Sequence, residues 1–486
     1  MRLFNTLSRS IEDFVPFHDK KVGLYACGFT VYDYTHLGHL RKYSMDDVLV
    51  RMLKHEGFEV TFVQNVTDVG QLVSDADTGE DKLEKGARKY GQSVWEVAQK
   101  FEAYFFYSMD KMGNKRPDVS CRATEHIPQQ IEMVKQLEAK GFTYIIAGDG
   151  VYFDTSKLDD YGKLAGLTKE KIEQLKGGAR VEMVEGKRNV TDFALWKFER
   201  PGENRAMSWE SPWAKRGFPG WHIECSAMAI EYLSEQFEIH TGGIDHIDIH
   251  HTNEIAQAES ATGKKPFVKY WVHHNHLRVD NEKMSKSLGN FFTIDDVLER
   301  GFAPQALRLL FLGSHYRSEL NFTWDSLAAA QKAWEKLVKQ ASEIQHTSPE
   351  NPSNPSEEME KFASQFWSAM RDDLDTPKAM AAFWIMLKSD LRNEQKRQLL
   401  TEFDQVLALG IGSIEQLSLR DASKTLVEPA NLPTEVKTIL SERQQAREQK
   451  DWQTADQLRE KLLQQGYKVE DFGSIQNVFK STMTKG

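Results

Sequence analysis

The sequence predicts an α/β protein: a parallel sheet split by an insertion, followed by an α-helical C-terminal half. Three observations carry this. A strand–loop–helix–strand unit occupies the first 66 residues, a second α/β stretch begins only near Trp221, and the pattern beyond about residue 300 is helical with a Pro/Ser/Asn-rich break. In the first unit, Lys21 to Cys27 (KVGLYAC) is a short apolar strand ending at Gly28. Leu40, Tyr43, Val48, Met52 and Leu53 then recur at helical spacing up to Gly57, and Glu59 to Val66 alternates as a strand. That is a βαβ unit.

A helical segment from Val94 to Met112 leads into the insertion. In the second α/β stretch, a helix over Trp221 to Ser234 precedes a strand at Phe237 to His240 and a Thr241-Gly242-Gly243 turn. A helix from His250 to Thr262 follows, ended by Gly263, and then the strand Phe267 to His273. Further on come a helix at Leu327 to Ile344, the linker HTSPENPSNPSE (346–357), a helical block over 358–409, a weakly patterned stretch to about 433, and final helices at 435–450 and 452–465.

Composition narrows the function classes. The 486 residues are 40% hydrophobic and 28% charged, which argues against a disordered chain. No run approaches the roughly 18 apolar residues of a membrane span, and the first residues lack a secretory pattern, so a cytoplasmic protein with no membrane partner is expected. Three cysteines without a CxxC leave metal binding, catalysis or burial. A net charge of −10 excludes an overall basic nucleic-acid binder but not a local basic surface.

Two segments carry chemistry. In CGFTVYDYTHLGH (27–39), His36 and His39 sit where a loop enters a helix, so helix amides and two imidazoles can converge on one anion. In NEKMSKSLGN (281–290), Lys283, Ser285, Lys286 and Ser287 lie in a Gly-terminated loop able to follow a polyphosphate. Either string alone is short; an HxGH arises by chance and a KxSKS loop can be merely solvated. Together, in this order around the insertion, they resemble the signature pair of class I aminoacyl-tRNA synthetases.

The resemblance is to the cysteinyl-tRNA synthetase family in particular. It extends through LYACGFTVYD (24–33), NVTDV (65–69), GWHIECSAMA (220–229), HHTNEIAQ (250–257), VDNEKMSKSLGNFFT (279–293), GSHYRSELNFTWDSL (313–327), DDLDTPKA (372–379) and KDWQTADQLREKLLQQG (450–466), in family order. It implies a Rossmann-like catalytic domain in two halves (1–112 and 206–275) around a connective insertion (113–205). A KMSKS-bearing stem-contact region (276–345), a helical bundle (346–430) and an anticodon-binding region (431–486) would follow.

The implied reaction is ATP-dependent activation of L-cysteine and its transfer to the terminal ribose of tRNA(Cys), by a monomer. One zinc ion per chain would be held by Cys27, Cys225, His250 and Glu254, and Mg2+ would accompany ATP. His250 and Glu254 are spaced i, i+4, on one helical face; without the resemblance, Cys27 and Cys225 read as buried thiols and His250/Glu254 as a surface pair. The resemblance assigns His36, His39 and Lys286 to catalysis. It gives Gly38, Lys283, Ser285, Ser287, Gly242, Gly243 and Asp245 to the nucleotide, and Thr67 and Trp221 to the amino-acid pocket.

Zinc suits the task, because a hydrophobic pocket separates near-isosteres such as cysteine and serine by only about 1–3 kcal/mol, whereas a thiolate bonds a borderline-soft metal as a hydroxyl cannot. Cys121 matches no ligand position. Trp452 and Tyr467 are candidates for stacking on bases, with Trp452 packing between the last helices as the plainer reading. Thr241 and Thr252 depart from the usual family string, and the polar stretch 69–88 is expected as a mobile loop near the pocket. Two rivals remain: a ligase joining cysteine to a small amine, as in mycothiol pathways, and an inactive zinc-dependent RNA-binding relative.

Overall fold

The computed structural model describes residues 1–70, 81–167, 185–285, 288–345, 355–413, 432–449, 451–472 and 475–480. A hairpin of β1 (Arg2–Asn5) and β2 (Ser10–Asp13) precedes the central sheet. That sheet contains β3 (Lys21–Thr30), β4 (Glu59–Thr67), β5 (Val119–Arg122), β10 (Phe237–Gly243) and β11 (Val268–His274) in the order β11-β10-β3-β4-β5, all parallel. Its strands read as apolar runs because both faces are covered by helices. Strand order reverses between β3 and β10, and in such sheets the ligand crevice opens beyond the carboxyl ends at that reversal.

One irregularity sits at the crevice. Ala26 pairs with Gln64 and Phe29 with Val66, so Cys27 and Gly28 together oppose the single residue Asn65. This is a β-bulge, which bends a strand and re-aims its side chains. Gly28 is the residue that permits it: a Cβ there would lie 1.6 Å from the Asn65 carbonyl oxygen, and the Gly28 amide donates to Asn65 Oδ1 at 2.7 Å. Tyr25 and Cys27 keep one face, with Cys225 and Trp271, while Phe29 packs with Leu37 and Leu40 on the other.

The insertion folds as an antiparallel sheet of β6 (Thr143–Ile146), β7 (Gly150–Phe153), β8 (Phe193–Phe198) and β9 (Gly217–Pro219) with the helix Ile127–Ala139 against it. The structure shifts both expected edges of the 113–205 segment. Val119–Arg122 belongs to the parallel sheet and Gly217–Pro219 to the insertion's sheet. Strands of three and four residues are too short to register a two-residue period in the sequence.

Beyond the sheet, β12 (Leu277–Val279), β13 (Glu282–Lys283) and β14 (Leu320–Phe322) form a small sheet. The helices Trp324–Gln345, Glu357–Arg371, Thr376–Lys388 and Asn393–Leu407 pack around Phe366, Phe383 and Phe403. The last helices, Thr434–Glu448 and Trp452–Gln464, are followed by a hairpin of β15 (Tyr467–Phe472) and β16 (Ile475–Lys480), which the helical reading did not include. Trp452 is 59% exposed, so packing between these helices is not its role. Among the described residues no helix is long and apolar enough to cross a membrane.

A buried arginine ties these parts together. Arg308 donates to Leu407 O (2.6 Å), Asn114 Oδ1 (2.7 Å) and Asp47 Oδ2 (2.6 Å), joining the bundle to the helix Leu37–His55. Asp47 also accepts from Arg51 Nε and the Lys115 amide. Arg308→Leu is expected to destabilise the chain by about 2–3 kcal/mol, because the Leu407 carbonyl and Asn114 Oδ1 lose a buried charged donor while Asp47 keeps Arg51 and the Lys115 amide. The measurement is the urea midpoint; an unchanged midpoint would mean that the pair carries no stability.

Candidate active site and metal centre

A cleft of about 950 Å3 opens at the carboxyl ends of β3, β4, β10 and β11, and it gathers most of the residues singled out from sequence. Cys27, His36, Gly38, His39, Thr67, Trp221, Cys225, Gly243, Asp245, His250, Lys283 and Ser285 all line it. Lys286 and Ser287 lie outside the described residues.

The HxGH segment is a helix cap. His36 is the N-cap of Leu37–His55, and its Nδ1 accepts from the Gly38 and His39 amides at 3.1 and 3.4 Å. The His36 amide in turn donates to His39 Nδ1 at 3.3 Å, and the two rings stack with centroids 3.6 Å apart. Gly38 is needed because a Cβ would press on the His36 ring at 3.0 Å. The Leu37 amide donates to Phe292 O. The first helix amides are therefore already taken, and the expectation that they would meet an anion gives way to another arrangement. With both Nδ1 atoms accepting, the proton of each neutral ring sits on Nε2, leaving Nε2–H donors. Burial, reinforced by His36 and Lys42, holds the His39 pKa well below its ordinary value, so that ring stays neutral.

The same loop is bound to the second motif. Besides the Leu37–Phe292 bond, His36 packs edge-on against Phe291 at 5.2 Å and bridges to Thr293. Asn290 braces the KMSKS loop at its base: its Oδ1 accepts from the Ser285 amide (2.7 Å) and its Nδ2 donates to Lys283 O (3.2 Å). On the β10 side, the open space around the Gly243 Cα faces the cleft, whereas a Cβ at Gly242 would strike the His251 ring at 2.4 Å. Gly242 thus serves packing beneath the site. Asp245 is exposed and pairs with His276 at 3.4 Å.

At the cleft floor, one ligand atom each from Cys27, Cys225, His250 and Glu254 lies within 4.8 Å of every other, and all four residues are buried. The two sulfurs are 3.9 Å apart, close to the roughly 3.8 Å spanned by two 2.3 Å Zn–S bonds at a tetrahedral angle. His250 Nε2 and Glu254 Oε1 are 2.8 Å apart. An alternative set, Cys27, His240, His251 and Glu254, shares two members. The first set is the one whose Cys27, Cys225 and His250 open on the cleft; His240 and His251 do not line it.

His240 and His251 instead lie behind the first set. His240 Nε2 lies 3.0 Å from Glu254 Oε2, and His251 Nε2 lies 3.3 Å from Cys27 Sγ. His251 Nδ1 continues to His273 Nε2 at 2.8 Å, and His222 Nδ1 meets His250 Nδ1 at 3.0 Å. Such outer partners fix ring orientation and ligand basicity. Burial raises the Cys27 pKa, but the bond from Cys225 and the nearby His251, His250 and His240 outweigh it and hold that thiol well below the usual range. The bond to Cys27, together with burial, drives Cys225 the other way. One thiolate thus forms before the other.

Residues 13–332 match the family described as tRNA synthetases class I (C) catalytic domain, and 430–478 the cysteinyl-tRNA ligase anticodon binding domain. A cysteine–tRNA ligase of Treponema denticola is 42% identical over 97% of this chain and 98% of its own, and cysteine–tRNA ligase 1 of Burkholderia lata is 43% identical over 99% and 97%. The chain belongs to the cysteinyl-tRNA synthetase family. In fold, this synthetase is similar to methionyl-tRNA synthetase of Mycobacterium tuberculosis in complex with methionyl-adenylate, with a TM-score of 0.58 at 14% identity over 83% of this chain and 96% of that one.

One family departure in this synthetase has a local structural explanation. Thr252 Oγ1 donates to Ile247 O at 2.8 Å, closing the turn before its helix, and Thr241 is fully buried. Cys121 lies on β5 with its pKa pushed up to about 12 by burial, an inert thiol outside both ligand sets. The polar stretch after Thr67 is not all loop: Lys82–Tyr90 is a helix, while 71–80 lie outside the described residues. The histidines behind Cys27 and Glu254 escaped the sequence reading. The signal available was His240 and His273 near the ends of adjacent strands and the doubled His250-His251.

Proposed function

We propose that this cysteine–tRNA ligase selects L-cysteine through one zinc ion held by Cys27, Cys225, His250 and Glu254, and carries out both half-reactions in the cleft above it. The observation that supports this is the set of two thiols, an imidazole and a carboxylate at the floor of a cleft whose rim carries the two phosphate motifs. The donor set suits zinc: soft sulfur with borderline nitrogen and one oxygen, three of the four residues facing the open side. A bound zinc ion supplies a partner that a cysteine thiolate bonds and a serine hydroxyl bonds far more weakly.

The remaining work belongs to positioning and charge. Thr67, held by a bond from Asn65 Nδ2 at 3.0 Å, and Trp221, whose ring is 4.3 Å from that of His250, wall the amino-acid pocket. The cysteine carboxylate attacks the α-phosphorus of ATP, forming cysteinyl-adenylate and releasing pyrophosphate. His36 and His39 donate from Nε2 to the phosphate oxygens, and Lys283, Ser285, Lys286 and Ser287 close on the leaving pyrophosphate. Mg2+ accompanies ATP. Gly243 admits the nucleoside and Asp245 accepts from its ribose hydroxyls. The terminal ribose hydroxyl of tRNA(Cys) then attacks the carbonyl, and no protein nucleophile is needed. All these groups come from one chain, so a monomer suffices.

Purified protein is expected to carry one equivalent of zinc, to exchange pyrophosphate into ATP with cysteine and not serine, and to charge tRNA(Cys). Exchange without charging would favour the small-amine ligase. Metal-free protein with undiminished preference for cysteine would overturn the zinc assignment.

A further inference from the structure

Two cleft-lining lysines have no part in the activation chemistry. Lys85 and Lys89, spaced i, i+4 on the helix Lys82–Tyr90, line the cleft on the side of Tyr32, Asp33 and Tyr34. Both are exposed, and over residues 82–100 five basic residues face two acidic ones in a chain of net charge −10. Lys85 makes no ion pair among the described residues.

The helix is held firmly at this place. Asp81 caps it, accepting from the Leu83 and Glu84 amides at 2.8 and 3.0 Å. Buried Arg205 donates both to Asp81 and to the Gly70 carbonyl (2.9 Å), which fastens together the two ends of the intervening segment. Leu83 is fully buried, and Gly86 lets the helix lie close to the HxGH loop, since a Cβ there would be 3.3 Å from Tyr32 O. At its C-terminal end, Lys89 and Lys100 both sit over the Tyr90 ring, at 4.6 and 4.5 Å. A cationic face fixed to the framework binds an anion without first having to be ordered.

We propose that the Lys85/Lys89 face docks the phosphate backbone of the single-stranded 3′ end of the RNA substrate, guiding its terminal ribose to the adenylate. The proposal rests on the two-step reading of the cleft. ATP's phosphates are served there by His36, His39 and the KMSKS loop, and cysteine is taken at the floor. The anionic reactant still without a place is the RNA strand, and it enters after pyrophosphate has gone. Lysines suit it, because binding backbone phosphates needs charge rather than a fixed fork.

The test is the double variant Lys85→Gln/Lys89→Gln, and separately Lys85→Glu, assayed for cysteine-dependent ATP–pyrophosphate exchange and for tRNA charging over a range of salt. Exchange is expected within about twofold of wild type, which also reports an intact fold. The KM for tRNA is expected to rise about tenfold for the double variant at low salt, and further for the glutamate. The log–log salt slope of charging kcat/KM should flatten by about 1.4, about 0.7 for each single-strand phosphate that is no longer neutralised. A parallel fall in exchange and charging would overturn the proposal by assigning the lysines to ATP, and unchanged charging would overturn it outright. Wild-type protein without exchange would instead overturn the reading of the cleft.

Discussion

Cys225→Ser is expected to leave the protein folded and nearly free of zinc, with its preference for cysteine over serine in pyrophosphate exchange collapsing from on the order of 10^4-fold to about 10^2-fold or less. Cys225 and Cys27 stand 3.9 Å apart in a pocket both share with Glu254. A hydroxyl at residue 225 is a poor replacement for a thiolate toward zinc, and what remains of the pocket is walls that tell a sulfur from an oxygen mainly by size and polarity. The readouts are metal content by mass spectrometry and exchange with both amino acids. Full zinc occupancy with unaltered discrimination would remove Cys225 from the site. Cys121→Ser is the control: its thiol is buried on β5 against Gln64 O, outside either ligand set, so metal content should not change.

The second large effect concerns His36. His36→Asn keeps a side-chain acceptor able to cap the Gly38 and His39 amides, so stability should be nearly retained, whereas His36→Ala loses the cap as well and should cost about 1 kcal/mol more. Both variants lose the Nε2–H donor. The maximal rate of cysteine activation should therefore fall about 10^2- to 10^3-fold in each, the effect of removing one donor from a developing phosphate charge. Comparing thermal midpoints with exchange rates separates the two roles. If asparagine restored the rate as well as the midpoint, His36 would be a cap and nothing more.

The long elements were legible in the sequence because their periodicity extends over many residues. Strands β3 and β4 and the helix Leu37–His55 stand close to where the apolar spacing put them. The edges of the insertion were not, because Val119–Arg122 and Gly217–Pro219 carry too few residues to show a pattern. The helix Lys82–Tyr90 was hidden by its polarity: it buries Leu83 and little else, so its composition resembles a loop.

At the site, the i, i+4 pair His250/Glu254 was visible as a helical face. Its association with Cys27 and Cys225, far off in sequence, came from the family resemblance, since ligands brought together by tertiary structure leave no local spacing. The supporting histidines belong to the same class. His240 and His273 show their purpose only once β10 and β11 lie side by side.

The two-against-one pairing of Cys27 and Gly28 with Asn65 has a consequence for how this scaffold can change. A one-residue deletion there would restore regular pairing with Phe29 still opposite Val66, so the approach to His36 would keep its face while Cys27 lost the bend that aims its sulfur. Recognition of the building block and handling of the nucleotide are therefore set apart by a single step along the chain. A change in the length of that strand would unseat the first and spare the second.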